Sequence, residues 1–181
     1  LEIIKVVEGC KSGNQFAENA LFDKYYKHMF NLSRRILGNH NDVEDVLIIS
    51  FTKVFGNIKK FEYRGDYSLT KWIKTIVINE SIRFVNKRNK IKYDDNIPEL
   101  IACSEFDSDL NDIDIEQIYS IIEKMPSGYR IVFNLFAIEG YSHKEIAELL
   151  KISENTSKSQ LRKARIDIIK KMDKIKNNGK A

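Results

Sequence analysis

Ser142-His143-Lys144-Glu145-Ile146-Ala147-Glu148-Leu149-Leu150-Lys151-Ile152-Ser153-Glu154-Asn155-Thr156 is the stretch whose reading decides the fold. Ser142 and Glu145 stand at the spacing of a capping box, in which each side chain satisfies an orphan amide at a helix start. Ile146, Leu149 and Leu150 recur at three and four and face inward, while Ala147 is small enough to let a second helix cross closely. After a short turn Ser153 caps the next helix, which gives helix-turn-helix geometry. On a wheel of that second helix Leu161, Ala164, Ile168 and Met172 share the inner side, and Asn155, Thr156, Ser159, Arg162 and Lys163 fall on the outer side. Short hydrogen-bonding side chains near a helix N-terminus, with cations further along, suit reading of a DNA major groove. The plain alternative is an antiparallel helix pair with a solvated face.

Upstream, the same periodicity continues. With 8 Gly and 2 Pro in 181 residues the chain reads as mostly helical, and no stretch makes a convincing strand. Leu21, Tyr25, Met29, Leu32 and Ile36 form one stripe, which Gly38 is suited to end. Asn41 or Asp42 caps the next helix, whose stripe is Val43, Val46, Leu47, Phe51, Val54 and Ile58. A loop from Tyr63 to Tyr67 leads to Ser68, which is expected to cap a helix reaching about Arg88 with Leu69, Ile73, Ile76, Val77 and Phe84 inside. Periodicity then lapses from Tyr93 to Asp114 and resumes with Ile115, Ile118, Ile121 and Ile122. Pro126 is expected in the first turn of a helix carrying Val132, Leu135 and Phe136 and ending near Gly140. The sequence therefore predicts an all-α protein of two small helical domains, residues 1–92 and 115–181, joined by a flexible acidic linker, 93–114.

The net charge of +4 conceals a division along the chain. Residues 1–90 hold 16 basic against 10 acidic side chains, residues 91–116 hold 1 against 9, and residues 117–181 hold 13 against 7. Two basic blocks flanking an acidic one fit a polyanionic partner, because neutralising phosphates releases counterions; solvation of helix surfaces is the alternative. No run approaches the about 18 to 20 apolar residues of a membrane span, and no secretory leader is legible, so a cytoplasmic setting without membrane insertion is expected. Cys10 and Cys103 lie far apart without a Cys or His at ligand spacing, and His28, His40 and His143 lack clustered carboxylates. Neither a metal site, a cofactor nor a catalytic constellation is expected.

The segment Tyr129 to Ala147, followed by Ile152 to Leu161, resembles region four of the extracytoplasmic-function (ECF) sigma factors of the sigma-70 family. Asp42 to Phe55 resembles region 2.2, and Phe61 to Arg88, with Trp72 and Asn79, resembles regions 2.3 and 2.4. The resemblance implies that region two binds the β′ clamp helices of RNA polymerase core and opens the minus-ten promoter element. Region four would bind the minus-thirty-five element and the β flap. Carried onto this chain, it assigns polymerase binding to Asp42, Asp45, Ile48, Ile49 and Thr52. It assigns minus-ten DNA to Tyr63, Arg64, Asp66, Tyr67, Trp72, Asn79, Lys87 and Arg88, and minus-thirty-five DNA to Asn155, Thr156, Lys158, Ser159, Arg162 and Lys163. The residues alone agree in part: Ile49 projects opposite its helix's core stripe, as a protein-binding apolar group does, although a lone exposed Ile is common. Aromatics, Arg64 and a glycine in the loop 63–67 are groups that hold an unpaired base, or else form a simple polar turn. Three positions depart from the family: Ile48 where Gln is frequent, Arg83 where an acid is expected, and Asn86 where Arg is expected.

The leading expectation is a sigma factor that directs promoter recognition and transcription initiation without catalysing a reaction, with polymerase core and promoter DNA as partners. An anti-sigma factor, or a DNA-bound factor that recruits the chain, is a possible further partner. The competing expectation is a helix-turn-helix regulator that does not engage polymerase. The 93–114 segment generates a direct test: limited proteolysis of the free chain is expected to cut there first, with fragments read by mass spectrometry. Equal resistance along the whole chain would remove the linker.

Overall fold

The computed structural model describes the backbone of residues 2–89 and 115–178, and the side chains of 2–88 and 119–175. The expected linker, and the side chains of Ile115 and Ile118, lie outside the described residues. Among those described, every regular element is helical, and the chain divides into two compact units, 1–88 and 89–181.

The first unit opens with α1 (Ile3–Lys11), which the sequence reading did not anticipate. Ile3, Val6, Val7 and Cys10 share its buried face, and burial pushes the Cys10 thiol up to about 11, aided by the carboxylate of Glu18. Helix α2 (Gln15–Leu37) begins where Asn14 Oδ1 accepts from the amides of Phe16 and Ala17. Its stripe Leu21, Tyr25, Met29, Leu32 and Ile36 is buried as the spacing requires. Gly38, at φ 65°, ends it in the left-handed conformation.

Helix α3 (Val43–Asn57) runs into a 3-10 turn at Ile58–Lys60, and all six of its expected core residues are buried. Asp42 precedes it as expected, but its side chain makes no capping bond. Helix α4 spans Asp66–Asn89, three residues earlier than a cap at Ser68 had implied. Ser68 instead closes the turn before it, its Oγ accepting from Arg64 N at 3.0 Å and donating to Gly65 O at 2.7 Å. Ile76 and Phe84 are only half-buried; Ile78, Ile82 and Val85 take the inner positions. The reason is angular drift: the steps Leu69, Ile73, Val77 each overshoot a helical turn by about 40°, so the buried stripe winds around the helix, and in its second half Ile78, Ile82 and Val85 stand on the covered side.

In the second unit, α5 (Ile115–Glu123) is followed by α6 (Ser127–Phe133), which continues as a π-helical turn over Asn134–Ile138. Pro126 sits just before α6 rather than in its first turn. Arg130 is buried and donates to the carbonyls of Met125 at 2.7 Å and Glu123 at 3.2 Å, tying the end of α5 to α6. Helix α7 (His143–Leu150) carries the capping box: Ser142 Oγ accepts from Glu145 N at 3.2 Å, and Glu145 Oε2 accepts from Ser142 N at 2.8 Å. Helix α8 (Glu154–Asn178) starts at Ser153, whose Oγ accepts from Thr156 N at 2.9 Å. Both α6 and α7 pack on α8 around Ile146, Ala147, Leu161, Ala164 and Ile168.

Between α7 and α8 the chain turns at Lys151, the one non-glycine residue at positive φ (56°) among the described residues. Its amide reaches Ala147 O, closing the helix as a glycine ordinarily would. A side chain in the left-handed region costs about 1 to 2 kcal/mol. Lys151→Gly relieves that cost while loosening the unfolded chain, for a net gain of about 0.5 to 1 kcal/mol. Thermal unfolding of the full chain checks it, and a lower melting temperature would refute the account.

Candidate nucleic-acid and polymerase interface

Three surfaces carry the expected site residues. On α3, Asp45, Ile48, Ile49 and Thr52 are all exposed on one side of the helix, with Ile48 63% and Ile49 45% accessible. Thr52 Oγ1 donates back to Ile48 O at 2.7 Å, so its hydroxyl is turned onto the helix. Asp42 is half-buried at the helix start, apart from that exposed row.

The loop before α4 is braced from several directions. Phe61 stacks on Trp72 with ring centroids 4.6 Å apart, so Trp72 is a half-buried anchor for the loop with one face already covered. The Tyr63 hydroxyl donates to the Asp66 carboxylate. That bond pushes the phenol up to about 12. Asp66 also lies 3.9 Å from Lys24, and Arg64 pairs with Glu62 at 2.7 Å. Asp66 and Tyr67, read from sequence as loop, belong to the first turn of α4, where an acid suits the helix dipole. Tyr67 is the aromatic left open, at 80% exposure.

From Tyr67 an exposed ridge follows α4 at four-residue spacing through Lys71, Thr75, Asn79, Arg83 and Lys87. Lys71 and Thr75 escaped the sequence reading; the four-residue step from Tyr67 is the signal that finds them. Arg83 reaches Glu80 at 3.6 Å, but Glu80 is buried and held more closely by Lys53, at 2.7 Å. Arg88, also exposed at the end of α4, pairs with Asp42.

On α8 the structure corrects the outer face. Asn155 and Lys158 are exposed and Arg162 is half-buried, but Thr156, Ser159 and Lys163 are buried, Lys163 to 7%. These three recur at three- and four-residue spacing and form a buried polar stripe on the side away from Leu161. Thr156 Oγ1 lies 2.7 Å from Ser153 Oγ, and Ser159 Oγ donates to Thr156 O at 2.9 Å, so both hydroxyls are spent inside the helix's first turns. Lys163 is not free either; a buried ammonium requires a partner.

His143 joins the two helices of the motif. Its ring stacks on Phe136 with centroids 4.5 Å apart, and Nδ1 lies 2.9 Å from Ser157 Oγ on α8. Among the described residues no group of His, Cys, Asp and Glu could hold a metal ion, and no helix is long and apolar enough to cross a membrane.

Comparison with known proteins agrees with this arrangement. Residues 21–91 match the family model Sigma-70 region 2, and residues 115–168 match Sigma-70, region 4. Together they cover more than half of the chain, in the family's order. The chain belongs to the sigma-70 family, as an ECF sigma factor. The ECF RNA polymerase sigma-E factor of Haemophilus influenzae is 24% identical over 172 residues, which cover 88% of this chain and 89% of that protein. The ECF RNA polymerase sigma factor SigW of Bacillus subtilis is 27% identical over 176 residues, 90% and 92% of the two chains. Among solved structures, the sigma factor RpoE of Bartonella quintana, in complex with the anti-sigma factor NepR, shares the fold at a TM-score of 0.55 and 16% identity, covering 86% of this chain and 96% of that one. As an ECF sigma factor the chain directs promoter recognition in transcription initiation; the competing reading, a regulator that does not engage polymerase, finds no support.

The His143 contact predicts a pH dependence. Burial, with Lys158 and Arg165 nearby and only Glu154 opposing, holds the imidazole below its ordinary value. The unfolded chain then binds the proton more readily, so this contribution is intact above the unfolded value of about 6.5 and is lost as pH falls through the lower folded value. Thermal unfolding between pH 8 and pH 5 is expected to show a loss of stability that shrinks in His143→Phe, which keeps a ring against Phe136. An identical pH dependence in the two proteins would exclude His143 as the source.

Proposed function

We propose a division of labour among the three surfaces. The α3 row of Asp45, Ile48, Ile49 and Thr52, with Asp42 at its edge, docks on the β′ clamp helices of RNA polymerase core. The loop 63–67 and the α4 ridge from Tyr67 to Lys87, with Arg88, engage the minus-ten element, Tyr67 offering its open ring to an unpaired base. Asn155, Lys158 and Arg162 at the start of α8 meet the minus-thirty-five element, while Thr156, Ser159 and Lys163 are covered on the flank beside them. The chain acts as a non-catalytic subunit where polymerase works, in the cell interior, and the segments 1–92 and 115–181 act as two modules on separated DNA sites. An anti-sigma partner is supported by the solved relatives, one bound to NepR and another, CnrH, to the cytosolic domain of CnrY.

The observation that carries the polymerase half is the pair of adjacent exposed isoleucines amid polar neighbours on α3. A protein that only occupies DNA has no need of an outward apolar row, whereas a protein interface gains from burying one. Ile49→Glu would force a charge to be desolvated at that interface. It is expected to weaken binding to purified bacterial core polymerase by about tenfold or more, with the helical circular dichroism unchanged. Unaltered core affinity in a folded Ile49→Glu protein would move the contact to another face. Run-off transcription from a promoter library by core polymerase plus the chain tests the reading as a whole.

A further inference from the structure

Asp42 stands where a carboxylate ordinarily caps its own helix, yet it makes no bond to the α3 amides. Two donors from elsewhere hold it instead. Asn39 Nδ2 donates to Oδ2 at 3.0 Å, and the guanidinium of Arg88, 46 residues further on, donates to the same oxygen. One ion pair thus clasps the start of α3 to the end of α4. The Asp42 side chain is 21% exposed and that of Arg88 57%, so the pair sits at the surface, within reach of an incoming group. Lys87, its neighbour, is exposed as well.

A guanidinium held by a carboxylate has its charge compensated, and a phosphate approaching it also meets the negative charge of Asp42. The same Arg88 therefore cannot serve Asp42 and DNA fully at once. An exposed pair of this kind is weak enough to be exchanged for another partner. We propose that Asp42 governs access of Arg88 to DNA: in the free chain the carboxylate withholds the guanidinium, and engagement of the Asp42 edge of α3 by polymerase releases it to a promoter phosphate. This rests on the reading of α3 as the polymerase face and α4 as the DNA face. Linkage makes the coupling reciprocal, so DNA that takes Arg88 leaves Asp42 open and tightens the polymerase contact.

The test uses the full chain and a fluorescein-labelled forked DNA of arbitrary sequence, because a phosphate contact carries no sequence preference. Asp42→Asn removes the competing charge, and Asp42→Ser does so while keeping a side chain suited to a helix start. Asp45→Asn, exposed on the same helix, reports what loss of one negative charge does by itself. Both Asp42 variants are expected to bind the fork about two- to fivefold more tightly than Asp45→Asn does. That excess disappears when Arg88→Gln is present. With core polymerase bound, Arg88→Gln alone costs a larger factor in DNA affinity than it costs the free chain. Circular dichroism and thermal melting establish that each variant is folded.

Tightening by Asp42→Asn and Asp42→Ser no greater than that of Asp45→Asn, or an excess that persists without Arg88, overturns the withholding. Equal losses from Arg88→Gln in free and polymerase-bound chain overturn the release. A chain that fails to bind core polymerase at all overturns the reading of α3 and the release together, and the free-chain comparison then decides separately whether Asp42 withholds Arg88.

Discussion

Ser33 on α2 and Ser81 on α4 are both fully buried with their hydroxyls 3.1 Å apart, so the side of α4 that carries Ser81 is the one turned toward α2. Two small residues at a crossing let the helices approach closely, and hydroxyls left unpaired there would each cost about 1 to 3 kcal/mol. Ser81 Oγ also reaches Val77 O at 2.7 Å, so the polar atoms are satisfied within an otherwise apolar layer. Once this side of α4 is fixed inward, with Leu69, Ile73, Val77, Ile78, Ile82 and Val85, the ridge from Tyr67 to Lys87 has to face out. The exposed ridge of the first unit is thus a consequence of how its core is packed.

In the second unit, α8 is buried on two sides. Leu161, Ala164, Ile168 and Met172 make the apolar stripe, and Thr156, Ser159 and Lys163 make a polar one. Residues left open between them, Asn155 and Lys158, are few, which narrows the surface the helix can present. The capping box of Ser142 and Glu145 and the His143 to Ser157 contact fix the start of α7 against α8. Rigid presentation matters here because base-edge hydrogen bonds demand that side chains arrive in register, a requirement a frayed helix start would fail.

Charge pairing runs through the first unit in a consistent way. Glu80 is buried yet takes Lys53 from α3, Asp42 takes Arg88 from α4, and Asp66 accepts from Tyr63 while lying near Lys24 of α2. Each acid connects α4 or the loop before it to another element of the unit. Exposed pairs among these add little stability. What they decide is which cations and hydroxyls are already engaged before a polyanion arrives.

The helix stripes from Leu21 to Ile58, the Gly38 stop, the capping box, the start of α8 at Ser153 and the outward Ile49 were all legible in the sequence. They rest on interactions within one helix or one turn, where spacing alone fixes the partners. The same local logic failed for Pro126 and Ser68, where the residue type fits the turn but the helix start falls one and three positions away. It missed α1, whose short amphipathic face is stabilised by burial against the rest of the unit. Only the tertiary structure decided that Trp72 is stacked on Phe61, that Arg88 is paired with Asp42, and that Thr156, Ser159 and Lys163 are buried. Those outcomes join residues that periodicity treats as independent: a helical wheel knows which side chains share a face, but contact between distant elements determines which faces are covered.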